Sequence, residues 1–239
     1  MSTLGARPCV LFVVEAVTLA HVARIAVLAK SLDPARYDVV VACAERSQPF
    51  LRGGSWRVVD LRSIESVRFF QALANGAPVY DEQTLLGYVE DDLALIDRIK
   101  PRLIVGDFRL SLSVSARRAG VPYATVTNAY WSPFFEGDKF PMPVLPLTRA
   151  LPLAVAQWLF SLGRPFVTAQ HCAPLNRVRA RHGMPSLGPD LRRIYTDADH
   201  VLYADSPHMF PLSGLPATHH YLGPLLWSCL LYTSPSPRD

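Results

Sequence analysis

The residues of this sequence best suited to move a proton are a histidine and an aspartate. His21 follows the apolar run Cys9 to Val14, and Asp107 closes the later run Leu103-Ile104-Val105-Gly106-Asp107. A carboxylate behind an imidazole fixes the ring's tautomer, orients it and stabilises the charge it gains with a proton, so the two together make a general base. Without that partner, His21 is a residue at a helix start that helps to cap it. A second group, Asn128, Tyr130, Trp131, Phe134 and Phe135, follows another apolar run. Together they offer aromatic walls with a few polar handles, the make-up of a small-molecule pocket; taken singly, each is packing for its loop. Glu15 stands just before His21's turn and is expected to be a solvated or helix-capping carboxylate.

Whether these residues meet depends on the elements that hold them. Cys9 to Val14 (CVLFVV) is a short continuous apolar run, the pattern of a strand buried on both faces of a parallel sheet. Val22, Ile25, Ala26, Ala29 and Leu32 then recur at helical spacing until Asp33-Pro34. Strands follow at Tyr37 to Cys43 and at Trp56 to Leu61, and a helix marked by Leu85, Val89, Leu93 and Ile96 ends at Pro101. Leu103 to Asp107 is a fourth strand, Ser111 to Arg118 a short helix and Tyr123 to Thr127 a fifth strand. Next comes an aromatic, Pro-rich stretch, Asn128 to Pro146, long enough to be functional. Leu151 to His182 is mostly helical in pattern, with a break expected at Gly163-Arg164-Pro165, and His200 to Ala204 is a late strand.

This alternation predicts an α/β fold, a Rossmann-like parallel sheet flanked by helices. In the order 3-2-1-4-5, strands one and four are neighbours, and ligands bind beyond the carboxyl ends of the strands where the winding reverses. His21 and Asp107 are then placed on one crevice. The turn between Val14 and His21 has no glycine, so neither a dinucleotide fingerprint nor a phosphate loop is present there.

Of the 239 residues, 50% are hydrophobic and 18% charged, enough apolar side chain for a sizeable core. No run of eighteen uncharged apolar residues and no signal-peptide core is found, so a cytoplasmic protein is expected. Cys9, Cys43, Cys172 and Cys229 lie far apart, which argues against a zinc ribbon or a disulfide framework. The net charge of +4 is scattered over 21 Arg and 3 Lys. Nucleic-acid binding would want a broader basic face; the run Arg177, Arg179, Arg181 and His182 is expected to be a solvated helix face.

The segments VLFVVEAVTLAHVARIAVLAKSL, YDVVVAC, RLIVGDFRLSLSVSARRAGVPYATVTNAYWSP and HVLYADSPHMFPLSGLPATHHYLGPLLW resemble, in that order, the N-terminal half of family 1 glycosyltransferases with the GT-B fold. The resemblance spans roughly residues 8 to 227, and AHVAR and VGDFRLSLSVSARRAGVPY are its most specific pieces. It implies that His21 deprotonates an acceptor hydroxyl with Asp107 as its partner. A hexose would pass, with inversion and without a metal or other cofactor, from a nucleotide-diphosphate sugar to a small lipophilic acceptor. It also implies a second, donor-binding domain, whose His- and Gly-containing motif is not found in these residues. Residues 1–227 are thus expected to be the acceptor-binding domain, inactive alone. The stretch from Ser228, SCLLYTSPSPRD, resembles a translated library-adapter tail, and the protein is expected to continue past Trp227.

The competing readings are a non-catalytic binding module of the same fold and a nucleotide-sugar epimerase relative, which would need other carboxylates at the crevice. Asp197-Ala198-Asp199 has the spacing of a metal-binding DxD but precedes a strand, so a solvated turn is expected. His219-His220 lacks further ligands at metal spacing. Glu90-Asp91-Asp92 is expected to be the wet side of its helix. Leu145 to Leu162 is the most apolar stretch, open to peripheral contact with a membrane, although Arg149 and two prolines argue against spanning.

Overall fold

Cys9–Val14 (β1) is apolar throughout because both its faces are covered. Val10, Phe12 and Val14 pack with Val22, Ile25 and Ala29 of the following helix, Leu19–Ser31 (α1). Leu11 and Val13 face the opposite layer, with Leu95 and Ile96 of a helix at Glu82–Ile99 (α3) and Leu112 and Ala116 of one at Leu112–Ala119 (α4). The computed structural model describes residues 7–136 and 151–227. Its other strands are Asp38–Cys43 (β2), Arg57–Asp60 (β3), Leu103–Asp107 (β4), Tyr123–Thr127 (β5), His200–Tyr203 (β6) and His219–Tyr221 (β7). The remaining α-helices among the described residues are Ser66–Ala74 (α2), Leu153–Arg181 (α5) and Leu191–Tyr195 (α6), with short 3-10 turns at Glu45–Leu51 and Ala129–Trp131. Residues 137–146 of the Pro-rich stretch and the stretch from Ser228 lie outside the described residues.

The strands form one sheet in the order β3-β2-β1-β4-β5-β6-β7, each pair parallel. Strand β1 sits beside β4 with Val13 opposite Gly106 and Val14 opposite Asp107, so the two strands end level. Gly106 has no room for a side chain: a Cβ would lie 2.4 Å from Leu112 Cδ1 and 3.0 Å from Tyr123. Helix α3 starts on Asp81, whose carboxylate accepts from the Thr84 amide at 2.7 Å, and stops at Lys100 in left-handed backbone immediately before Pro101.

Several expectations need correcting. Helix α5 runs unbroken through Gly163-Arg164-Pro165. The carbonyl that Pro165 leaves without its helical donor belongs to Ser161, an exposed residue. Helix α2 was not foreseen, since it buries only Phe69 and turns Val67, Phe70 and Leu73 outward. Arg179, expected on a solvated face, is buried and pairs with Asp197. Asp197 also takes a two-pronged contact from Arg117 at 2.7 and 2.8 Å, and Asp199 accepts from the Tyr123 amide at 2.9 Å, so this turn staples α4 and α5 to the sheet.

Glu15 and Asp92 are likewise not solvated. Both are buried around the guanidinium of Arg109. Glu15 accepts from Arg109 Nη1 at 2.9 Å, the Tyr88 hydroxyl at 2.9 Å and the Ile64 amide at 3.1 Å. Asp92 accepts from Arg109 Nε at 3.1 Å, Ser111 at 2.6 Å and Ser115 at 3.2 Å. Arg109 Nη2 is 3.0 Å from Asp92, near enough for ion pairing but without hydrogen-bond geometry. The Arg109 guanidinium also lies 3.5 Å from the centre of the Tyr88 ring. One cation faces two carboxylates, and burial, opposed by Arg109, pushes the Glu15 carboxyl above its ordinary range. The cluster binds the turn after β1 to α3 and to the turn after β4.

Removing one member of a buried ion cluster leaves an uncompensated charge. Arg109→Met is expected to lower unfolding free energy by about 3–5 kcal/mol in urea titrations. Glu15→Gln leaves Arg109 and Asp92 balanced, so a smaller loss, about 1–3 kcal/mol, is expected.

His219, beside Tyr203 at 2.7 Å, is held below the ordinary histidine value by burial and then by His220; burial and Arg118 do the same for His182. The unfolded chain therefore takes up these protons first. Their contribution is complete above pH about 6.5 and is lost as pH falls through the lowered folded values. Melting temperature is expected to drop from pH 7 to 5, and less steeply in His219→Gln.

Candidate functional site

His21 stands in the first turn of α1 and Asp107 is the last residue of β4. The level ends of β1 and β4 bring them together: His21 Nδ1 is 2.8 Å from Asp107 Oδ1. The carboxylate is 1% exposed and the imidazole 15%. Arg24, one helical turn after His21, grips the same carboxylate with two prongs, Nε to Oδ2 and Nη2 to Oδ1, both 2.8 Å. Its Nη2 also lies 2.8 Å from His21 Nδ1, and its Nη1 donates to Asn128 Oδ1 at 3.0 Å. Asn128 Nδ2 donates in turn to Asp205, which also accepts from the Ala129 amide at 2.6 Å.

Phe108 follows Asp107 in left-handed backbone, with φ of 58°, uncommon for a non-glycine residue. That turn lays its ring flat against His21, with ring centres 5.1 Å apart and planes 11° from parallel. Phe69, Tyr80 and Tyr195 pack around Phe108 in turn.

His21, Arg24 and Asp107 line a cavity of about 1110 Å³ at the carboxyl ends of the strands. Asn128, Tyr130, Trp131 and Phe135 form part of its wall, joined by Phe69 and Leu73 from α2, by Phe160 and Val167 from α5 and by Tyr195. Trp131 meets Tyr195 edge-on at 4.9 Å, and Tyr130 packs on Trp131 and Phe210. Phe134 is not in this wall. It packs edge-on against His219 at 5.3 Å, because the chain doubles back at Ser132 and turns this ring toward β7. Arg24, Phe108, Tyr195 and Asp205 are further members of the site that were not foreseen from the sequence. Only Arg24 had a local signal, the three-residue spacing that puts it on His21's face of the helix. Among the described residues, no group of three or more His, Cys, Asp and Glu is placed to hold a metal ion.

No family model matches the chain. Over 222 residues, 93% of its length, it is 51% identical to the PGL/p-HBAD biosynthesis rhamnosyltransferase of Mycobacterium bovis. The chain is similar to such glycosyltransferases over nearly its whole length, and its parallel sheet and flanking helices match the GT-B fold. Over the same length it is 46% identical to a PGL/p-HBAD biosynthesis glycosyltransferase of Mycobacterium tuberculosis, and equally to an M. bovis relative named as an inactive PGL/p-HBAD biosynthesis glycosyltransferase. It spans about half the length of the curated relatives it matches: 49% of the rhamnosyltransferase, 52% and 60% of the other two.

Solved glycosyltransferases share the fold. The glycotransferase of kitacinnamycin superposes with a TM-score of 0.60 at 14% identity, over 94% of this chain and 54% of that one. Phytolacca americana UGT2, complexed with UDP-2fluoro-glucose and pterostilbene, gives 0.52 at 16% identity, over 92% and 54%.

The wall makes a testable distinction between neighbouring aromatics. Trp131→Ala is expected to weaken binding of a flat phenolic ligand about tenfold or more, whereas Phe134→Ala leaves it unchanged, as measured by titration calorimetry.

Proposed function

We propose that this GT-B domain binds a small lipophilic acceptor and activates its hydroxyl for glycosyl transfer. The observation that carries the reading is the His21–Asp107 pair on the wall of a large, mainly apolar cavity. With Nδ1 donating to Asp107, Nε2 is the basic nitrogen of a ring that lines the cavity. It accepts the acceptor's hydroxyl proton as the oxygen attacks the anomeric carbon of a nucleotide-diphosphate hexose. The bond from that carbon to the diphosphate breaks, the electron pair leaves with the nucleotide, and the configuration inverts. A positioned base of this kind contributes about 10²- to 10⁴-fold. The mechanism needs no metal or other cofactor. The rhamnosyltransferase named above supports a sugar of the hexose class.

The setting fits a cytoplasmic protein that touches lipid surfaces. Cys9, Cys43 and Cys172 are free thiols. No described helix is long and apolar enough to cross a membrane, yet α5 exposes Leu153, Trp158, Leu162 and Phe166. Such an apolar stripe suits peripheral contact. A second reading, binding without transfer, is favoured by the relative named as inactive.

The deciding experiment takes the reading frame that contains this chain to its natural stop and assays transfer from nucleotide-diphosphate hexoses to a phenolic panel. His21→Ala is expected to lose about 10²- to 10⁴-fold in turnover while its acceptor affinity stays unchanged. Binding by the wild type without any transfer would establish the second reading. An undiminished His21→Ala rate would remove His21 from the chemistry.

A further inference from the structure

We infer that Arg24 is a positioning residue of the transfer site: through Asp107 it fixes the tautomer of His21, and through Asn128 it ties that carboxylate to the acceptor-side loop. The inference rests on the proposed role of His21 as base. Arg24 is not a surface ion pair; its side chain is 14% exposed, and its carboxylate partner is almost wholly buried. Three of its five N–H groups, on three different nitrogens, are engaged, two on Asp107 and one on Asn128. A planar guanidinium held at two edges sets the plane of the carboxylate it grips, which an ammonium cannot do.

That plane decides where the imidazole proton sits. Asp107 Oδ1, His21 Nδ1 and Arg24 Nη2 form a triangle with every side 2.8 Å. A carboxylate oxygen and a guanidinium nitrogen have fixed parts, since the first only accepts and the second only donates. The imidazole nitrogen is the one corner with a choice. If Nδ1 donates to Oδ1, Nε2 keeps the lone pair that a base requires. If Nδ1 accepts from Nη2, the proton moves to Nε2 and the ring cannot take another there while staying neutral. The Nε and Nη2 prongs hold Oδ1 against Nδ1, where two facing lone pairs would repel, and they commit Nη2 to the carboxylate. Freed of Arg24, the carboxylate can turn about its Cβ–Cγ bond, and Nδ1 loses its fixed acceptor.

The third donor extends the same order outward. Arg24 Nη1 on Asn128 Oδ1 leaves the amide nitrogen to face Asp205, and Asp205 also holds the Ala129 amide. The first residues of the aromatic wall are thereby indexed to the carboxylate that orients the base.

The test is long-range proton–nitrogen NMR on this chain with labelled imidazoles, at a pH where His21 is neutral, for wild type, Arg24→Lys and Arg24→Met. The wild type is expected to show the Nδ1–H form of His21, and both variants a several-fold rise in the Nε2–H form, larger in Arg24→Met. Arg24→Lys keeps a buried cation against Asp107 and serves if the methionine variant does not fold. In the full reading frame, Arg24→Lys is expected to lower kcat about tenfold or more with little change in the KM for donor. A wild type already in the Nε2–H form, or a lysine variant with unchanged tautomer and kcat, overturns the inference. The spectra require no turnover, so a failure of the base reading, seen as undiminished transfer by His21→Ala, stays distinguishable from a failure here.

Discussion

Asp107 is a carboxylate at the end of a strand buried on both sides, and the site is organised around satisfying its two oxygens. It lies opposite Val14 because β1 and β4 run parallel and end level. An unpaired charge in that position would be costly. The chain meets the need with two residues one helical turn apart on α1, the element that leaves β1. His21 and Arg24 thus reach the same carboxylate from a single helix face, and the buried charge becomes the fixed point from which imidazole, cavity wall and loop take their positions.

The turn Asp107-Phe108-Arg109 splits this end of the sheet into two tiers. Asp107 faces α1 and the cavity, while Arg109 goes inward to Glu15 and Asp92. Phe108 lies between, its left-handed backbone compensated by a ring packed on His21, Phe69, Tyr80 and Tyr195. Such a conformation costs about 1–2 kcal/mol. The lower tier is a buried ion cluster and the upper tier lines the cavity, and three consecutive residues make the division.

Much of this was legible in the sequence. Continuous apolar runs announced strands buried on both faces, and the winding order alone placed His21 and Asp107 on one crevice. The carboxylates were less legible. Glu15 and Asp92 looked like wet charges because their partner Arg109 is remote in sequence from both, and only the folded turn brings it between them. Arg179 and Asp197 escaped for the same reason. Phe134 and Phe135 are adjacent and alike in type, yet the backbone at Ser132 turns one toward the cavity and the other toward β7. Helix α2 escaped because its outward residues are apolar, so burial and hydrophobicity part company there.

The winding order that assembles the site also sets when it can assemble. The central strand β1 has β2 available early as one neighbour, but its other edge waits for β4, and His21 waits 86 residues for Asp107. At synthesis rates of about 5–20 residues per second, that interval is roughly 4–17 s. A growing chain on the ribosome therefore presents an unpaired apolar strand edge for seconds, long enough for chaperones to engage it. His21 acquires its carboxylate partner only when the first half of the sheet closes.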